Sequence, residues 1–428
     1  MRGRFEGVDI NNAEDYKLLE SLQGNILSGH GRAFSAYMII NFHRVIKQGH
    51  PFRSWIRDLA IDSALDLEKN SSDNYPSKKI DYPFYNILFT SLGYERLGKA
   101  SKETPGDVAF RQGALARARG IGDSNYRNWE DWSKGAVGMV LLIANNDEDL
   151  LESSITGISD VLGQFLEDLS LTGVLRGTAN KHQGLPRDGF GFADGISMPL
   201  FMKRHIQMYW STEPSAAWDP SFNPTDLVLA PEYVNPGGFG SYFVLRKLSQ
   251  NLAAFDEACS TLANTLGVDK ELAEAYIVGR FKDGTPVVSS NKPNGAASNG
   301  FNYENDHQGS RCPLHAHTRL MNPRTTDPNE LGRQIVRRGF AYDEGGDAGI
   351  IFGCFQMDIS RQFEFMQRLW GNGSIPDQLI GIPKKAVKWP LCWGNDSKSS
   401  VSIAFRKTVT VKGTLYLFAP SLTFLKGL

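Results

Sequence analysis

Apolar positions recur along this chain in two rhythms. Between Asp147 and Leu169, the residues Leu150, Leu151, Ile155, Ile158, Leu162, Phe165 and Leu169 fall at steps of three and four, which predicts a helix with one buried face. The run GMVLLIAN just before it is apolar without interruption and predicts a strand. The same order returns where GSYFVLRKL predicts a strand and NLAAFDEACSTLANTL an amphipathic helix, and again in GIIFGCFQMDI followed by SRQFEFMQRLW. GTLYLFAPS predicts the last strand. Between these blocks STEPSAAWDPSFNPTD has no apolar period and is rich in Pro, Ser and Asp, which predicts a loop near residues 211–226 and a division into two α+β units, 1–215 and 216–428. Strand-then-helix runs without regular βαβ alternation predict antiparallel sheets with helices on one face. No short-period repeat or low-complexity tract interrupts them.

With 428 residues, 41% of them hydrophobic, the chain can bury a large core. A formal net charge of −1 gives no general pull toward nucleic acid or an anionic membrane, so small-molecule chemistry is expected. No stretch approaches the roughly 20 apolar residues of a membrane span, and MRGRFEGVDINNAEDYKLLE lacks the apolar core of a signal peptide. A cytoplasmic protein is expected. Cys259, Cys312, Cys354 and Cys392 are scattered without C-x-x-C spacing, which suggests neither a zinc site nor a disulfide framework.

Three segments carry candidate chemistry. In RDGFGFADGIS, Asp194 sits among Gly191 and Gly195, either as a tight turn or as a carboxylate on a backbone that passes close to a ligand. In RCPLHAHTRLMNPR, His315 and His317 are two residues apart and in a strand would share a face. They read as a metal pair, as a single haem ligand, or as hydrogen-bonded core histidines. In IVRRGFAYDEG, Arg337 and Arg338 in a strand would point to opposite faces, one solvated and the other driven toward a pocket where it needs a carboxylate or a ligand anion.

In this order, GFADG, AHTRLMNPR and RRG resemble the hallmarks of the dye-decolourising peroxidase family, a GxxDG carboxylate motif, an AH-x-R-x-x-NPR segment and a following RRG. The resemblance extends through LQGNILSGHGR, YNILFTSLGYERLG, VGRFKDGTP and VKGTLYLFAPSLTFL. It implies two ferredoxin-like α+β domains, the first carrying the GxxDG motif, with haem b (iron protoporphyrin IX) held mainly by the C-terminal one. His317 matches the proximal iron ligand; His315 has no counterpart in the motif and is taken as structural. Asp194 matches the distal carboxylate that moves a proton between the two oxygens of peroxide, and Arg337 the distal arginine that stabilises developing negative charge. The resemblance also places Gly195, Ile196, Ser197 and the Asn322-Pro323-Arg324 turn against the haem, Arg324 as a propionate partner, Ile350 and Phe352 on the distal wall, and Asp377 as acceptor of the His317 Nδ1 proton. A departure is Ala341, where the family commonly has proline, with Asp343 and Glu344 adding charge nearby.

The implied activity is reduction of hydrogen peroxide coupled, through an oxo-ferryl state, to one-electron oxidation of dyes, phenols or other aromatic donors. Neither nucleic acid nor membrane is an expected partner; the sequence leaves open a homo-oligomer, the natural donor and any Trp or Tyr electron relay. Alternatives are a non-catalytic haem-binding or haem-iron release protein and a chlorite-dismutase-like haem enzyme, which works without a distal aspartate.

Overall fold

The computed structural model describes residues 5–72, 82–179, 181–182, 184–233, 235, 237–381, 385–395 and 400–428. The first four residues of the N-terminal segment read above lie outside these.

Strands β1 (Phe34–Phe42), β2 (Phe84–Phe89), β3 (Val137–Asn145) and β4 (Leu169–Thr178) pair antiparallel in the order β2-β3-β1-β4. Strands β5 (Phe239–Gln250), β6 (Phe340–Glu344), β7 (Asp347–Gln356) and β8 (Val409–Ala419) repeat that pattern as β8-β5-β7-β6. Each set is ferredoxin-like, with its first and third strands in the middle and its second and fourth at the edges. Unpaired edges are costly, and the two sets satisfy each other's: Phe418 of β8 lies opposite Phe89 of β2, and Ala341 of β6 opposite Thr178 of β4. The two α+β units therefore share one closed antiparallel sheet rather than holding separate ones, to which Ala230–Pro231 and Val336–Arg337 add short strands.

Side chains alternate across the strands, so closure separates two environments. Tyr37, Ile39, Val140, Leu142, Leu245, Ile351 and Leu415 fill the barrel interior. Outside the first set, Leu151, Ile155, Ile158 and Leu162 pack a helix against Met38, Ile40, Met139 and Leu141. That helix spans Glu148–Gly163, and its start is fixed by the Asp147 carboxylate, which accepts a bond from Leu150 N. It is shorter than the apolar period suggests: Leu150 is exposed, Phe165 lies in the turn that follows, and Leu169 opens β4.

Outside the second set, Arg246, Leu248 and Gln250 of β5, Ile350 and Phe352 of β7, and Val409 and Val411 of β8 form a floor in register, Ile350 opposite Leu248 and Phe352 opposite Arg246. Helices Leu252–Leu266 and Lys270–Val278 follow β5, and a long irregular stretch then carries the short helix His317–Met321. Residues 213–223 form an irregular loop, as the Pro-rich composition predicts, although helix Lys203–Thr212 runs into the 211–226 stretch and Pro224 starts another short helix. The segment after β7 begins as helix Phe363–Phe365 and continues as a π-helical turn, Met366–Gly371. That widened turn delivers Met366 and Gln367 to the floor just described.

Candidate active site

A cavity of about 250 Å³ lies over the outer face of the second strand set. Apolar walls come from Leu248, Val278, Ile335, Ile350, Phe352, Phe363, Leu379 and Val411, and charged and polar side chains are set among them.

Asp194 reaches it from a tight loop. Gly191 and Gly195 have φ of +87° and +75°, in the left-handed region that glycine adopts without strain, and the loop backbone is tied by bonds from Asp194 N to Pro186 O and from Ala193 N to Lys282 O. The Asp194 Oδ1 atom accepts bonds from Gly195 N at 2.7 Å and from Arg337 Nη1 at 2.6 Å, which leaves Oδ2 to the cavity. Burial raises the pKa of this carboxyl, but the Arg337 charge and the two donated bonds outweigh it, holding Asp194 below the ordinary carboxylate range. Arg337 is aimed by the short strand Val336–Arg337, paired to Cys354 and Phe355 of β7.

Arg338 points the other way, yet it is not the solvated partner that strand alternation suggests. Its Nε and Nη2 donate to the carbonyls of Asn25 and Ile26, which the early LQGNIL segment brings to it, and Nη1 donates to Arg337 O.

His317 enters at the start of its helix, and its Nδ1 lies 2.7 Å from Asp377 Oδ2. Asp377 is fully buried, and its Oδ1 accepts bonds from Leu379 N and Ile380 N. Burial pushes its pKa up, while the contact with His317 and the two backbone donors pull it further down, below the ordinary range. An ionised Asp377 makes Nδ1 the protonated nitrogen and frees Nε2. The pair of histidines is not in a strand and does not share a face. His315 sits in the turn before the helix, 1% exposed, with its ring 4.2 Å from Trp389 and its pKa driven down to about 3 by burial; it does not line the cavity.

Gly195, Ile196, Ser197, Asn322 and Arg324 line the cavity, whereas Pro323 and Asp377 stand behind it. Asn322 Nδ2 donates to Ser197 Oγ, which itself bonds Asn299. Arg324 has φ +54°, a conformation that costs a non-glycine residue roughly 1–3 kcal/mol and persists only where the surroundings enforce it. Its guanidinium lies between the rings of Trp218 and Phe301, 4.5 and 3.8 Å away, and donates to the carbonyls of Asn299 and Phe301, to Ser197 Oγ and to Asn299 Oδ1. Asp343 and Glu344 do not line the cavity, and Glu344 pairs with Lys247 at 3.2 Å.

The motifs pass over several lining groups. Arg280 donates to Gly284 O and Ser298 O; Asp188 accepts from Phe192 N and Gln250; Asp123 and Arg246 form a buried ion pair at 2.6 Å. Only VGRFKDGTP, within the wider resemblance, pointed at Arg280; the Asp123–Arg246 pair joins residues 123 positions apart and leaves no local signal. Removing one member of such a pair strands a buried charge, so Arg246→Leu is expected to lower the unfolding free energy by about 3–5 kcal/mol, with the double replacement Asp123→Leu/Arg246→Leu recovering much of it in denaturant titrations.

These groups fit the haem that the resemblance implies. With Nδ1 on Asp377, His317 Nε2 is free to serve as a single nitrogen ligand, and among the described residues no group of three His, Cys, Asp or Glu side chains is placed to hold a bare metal ion. Among the described residues Arg280 and Arg324 hydrogen-bond only to neutral partners, and burial lowers both to about 10. Two cations without a carboxylate partner among the described residues would complement the two propionates of a haem, and the apolar part of the floor would suit its ring.

Residues 21–177 match the family model described as the DyP dimeric alpha+beta barrel domain, and residues 225–382 the one described as Dyp-type peroxidase, C-terminal. The multifunctional dye peroxidase DyP2 of Amycolatopsis sp. (strain ATCC 39116 / 75iv2) is 30% identical, with 96% of each chain covered. The crystal structure of a DyP-type peroxidase from Anabaena sp. superposes with a TM-score of 0.90 at 34% identity, covering 98% of this chain and 97% of that one. The structure of DyP2 itself superposes with a TM-score of 0.85 at 29% identity, covering 97% of each. On its closed α+β barrel and on identity sustained across almost its whole length, the chain belongs to the dye-decolourising peroxidase family.

Proposed function

We propose that the cavity binds haem b through His317 and that Asp194 and Arg337 act together on hydrogen peroxide there. The chain is a haem-dependent peroxidase that oxidises dyes and phenols, as its family membership establishes. The observation that carries the residue assignment is the presence of two pairs, Asp194–Arg337 and His317–Asp377, at one apolar cavity. We place the boundary between the two units at residues 215 and 216, within the stretch that joins the two strand sets.

When bound, haem supplies the redox-active iron at which peroxide is reduced and from which aromatic donors are oxidised one electron at a time. His317 offers Nε2 to that iron while Asp377 accepts the Nδ1 proton, which fixes the ring and raises its basicity. Asp194, ionised under Arg337, takes a proton from one peroxide oxygen on Oδ2 and returns it to the other, with Oδ1 held still by Gly195 N and Arg337. Arg337 contributes a fixed positive charge where negative charge develops. The buried guanidinium groups of Arg280 and Arg324 hold the propionates, and Ile350 and Phe352 exclude water. A distal aspartate in a hydrogen-bonded pair favours a peroxidase over a chlorite-dismutase-like enzyme.

The test is an optical spectrum of the purified protein followed by peroxide-dependent dye oxidation, compared with Asp194→Asn. A Soret band, turnover in the wild type and loss of turnover in the variant are expected; equal turnover in both would refute the assignment of Asp194. Asp377→Asn is expected to keep the cavity but reduce haem affinity or activity by about 10–100-fold, the usual effect of losing a ligand's supporting carboxylate. Titration of haem into the cofactor-free protein measures it.

A further inference from the structure

The loop that carries Asp194 contains three glycines between residues 189 and 195, so its backbone has little intrinsic preference for one shape. Phe190 and Phe192 anchor it in the core, Phe190 stacked at 4.1 Å on Phe255, but apolar contacts alone leave the intervening peptide groups free to rotate. Backbone bonds to Pro186 O and Lys282 O tie the Asp194 end of the loop and Arg187 donates to Gly191 O, while the contacts that shape its 188–192 turn from the β5 side converge on Asp188 and Gln250.

Asp188 closes the loop on itself. Its Oδ1 accepts a bond from Phe192 N at 2.8 Å, its own N–H donates to Phe192 O, and its carbonyl accepts from Gly191 N. Gln250, the last residue of β5 and 5% exposed, then grips the loop from outside: Nε2 donates to Asp188 Oδ2 at 3.2 Å, and Oε1 accepts from Gly189 N at 3.0 Å. A Cβ at position 189 would come within 2.5 Å of that Oε1, so the glycine is what lets the amide approach. Gln250 stands on the strand that also presents Arg246 and Leu248 to the cavity, and Asp188 and Gln250 line it themselves.

We propose that the Gln250 amide, clamped on Asp188 and Gly189, is the positioning device that holds the Asp194 carboxylate in register with Arg337. The inference rests on the reading of Asp194 given above. An amide is polar in a fixed sense, with a donor at one end and an acceptor at the other, and here the donor meets a carboxylate while the acceptor meets an N–H. Asp188→Asn turns the facing group into a donor, so that donor meets donor. Gln250→Glu brings a carboxylate against a carboxylate. Combined, the two substitutions restore complementarity with the order of donor and acceptor exchanged, because the new amide at 188 donates to the new carboxylate at 250, whose other oxygen still accepts from Gly189 N.

The experiment measures, for the haem-loaded full chain, the stopped-flow rate with peroxide and the hydrogen exchange of residues 186–197 in D188N, Q250E, the combination, and D194N. Each single clamp variant is expected to exchange faster in that segment and to react with peroxide roughly 10–100-fold more slowly, as for a small misplacement of a reacting group. The combination is expected to recover both. Recovery on exchanging the polarity of two atoms ties the loss to their hydrogen bond, and recovery of the peroxide rate together with loop exchange ties that bond to the placement of Asp194. A combination no better than the worse single variant, or clamp variants with wild-type rates beside a slow D194N, would overturn the proposal. Should D194N keep the wild-type rate, the reading of Asp194 fails, and the exchange data alone still decide whether the clamp holds the loop. If a single variant does not fold, Q250M, which keeps the length of the side chain and deletes both contacts, is measured in its place.

Discussion

His317→Ala is expected to produce a chain that folds but neither retains haem nor turns over peroxide. The reason is that His317 carries the one imidazole lining the cavity among the described residues, and Asp377, fully buried, holds no other side chain among them. Loss of the ligand itself must exceed the ~10–100-fold effect that follows from removing its supporting carboxylate. Absence of a Soret band and of dye oxidation after haem reconstitution is the expected reading. The control is His315→Ala, two residues away, where the deleted ring packs on Trp389 outside the cavity. That variant is expected to keep haem and activity and to lose only about 1–3 kcal/mol of stability, as other core truncations of modest size do. Haem loss in His315→Ala with retention in His317→Ala would reverse the assignment.

Arg337→Leu is expected to slow the reaction with peroxide by the equivalent of ~2–4 kcal/mol, comparable with removing a donor that faces developing negative charge. The pH dependence should change with it, and its sign follows from the contacts. In the wild type, the Arg337 charge and bond help to hold Asp194 below the ordinary carboxylate range, so the base form persists into acid. Without Arg337, the burial that raises the Asp194 pKa is no longer outweighed by that charge. The acid limb of the peroxide rate is therefore expected to move to higher pH in Arg337→Leu, and to vanish in Asp194→Asn, in which nothing at that position titrates. Stopped-flow rates from pH 3 to 8 in the three proteins check this. An acid limb at the same pH in wild type and Arg337→Leu would show that Asp194 is not the group being titrated. Dye oxidation consumes protons as the peroxide oxygen leaves as water, and is expected to fall toward neutrality in the wild type.

Three strands of the second set were legible in the sequence, in GSYFVLRKL, GIIFGCFQMDI and GTLYLFAPS, because their apolar residues run on with little interruption, whereas β6 ends in exposed Asp343 and Glu344 and left no such run. The helix before β4 was legible in its period but not in its end, since Phe165 and Leu169 continue the apolar spacing after the chain has turned away. Motifs singled out Asp194, His317 and Arg337, which the fold brings to one cavity, and the glycines and proline around them fix local shape. The pattern also suggested that one of two adjacent arginines must turn inward, but it gave the other to solvent, whereas the carbonyls of Asn25 and Ile26 claim it.

What the tertiary structure alone decided are the relations between residues far apart in the chain. The alternation along β5 put Arg246, Leu248 and Gln250 on one face, but only the segments packed over it, which bring Asp194, His317, Arg324 and Phe363, made that face the floor of a cavity instead of a solvated surface. The Asp123–Arg246 pair and the hold of Gln250 on Asp188 have no signature in a local window, because they join residues 123 and 62 positions apart. Local sequence determines periodicity, turns and the identity of reactive groups; which of those groups share a low-dielectric space, and therefore shift one another's charge, is set by packing.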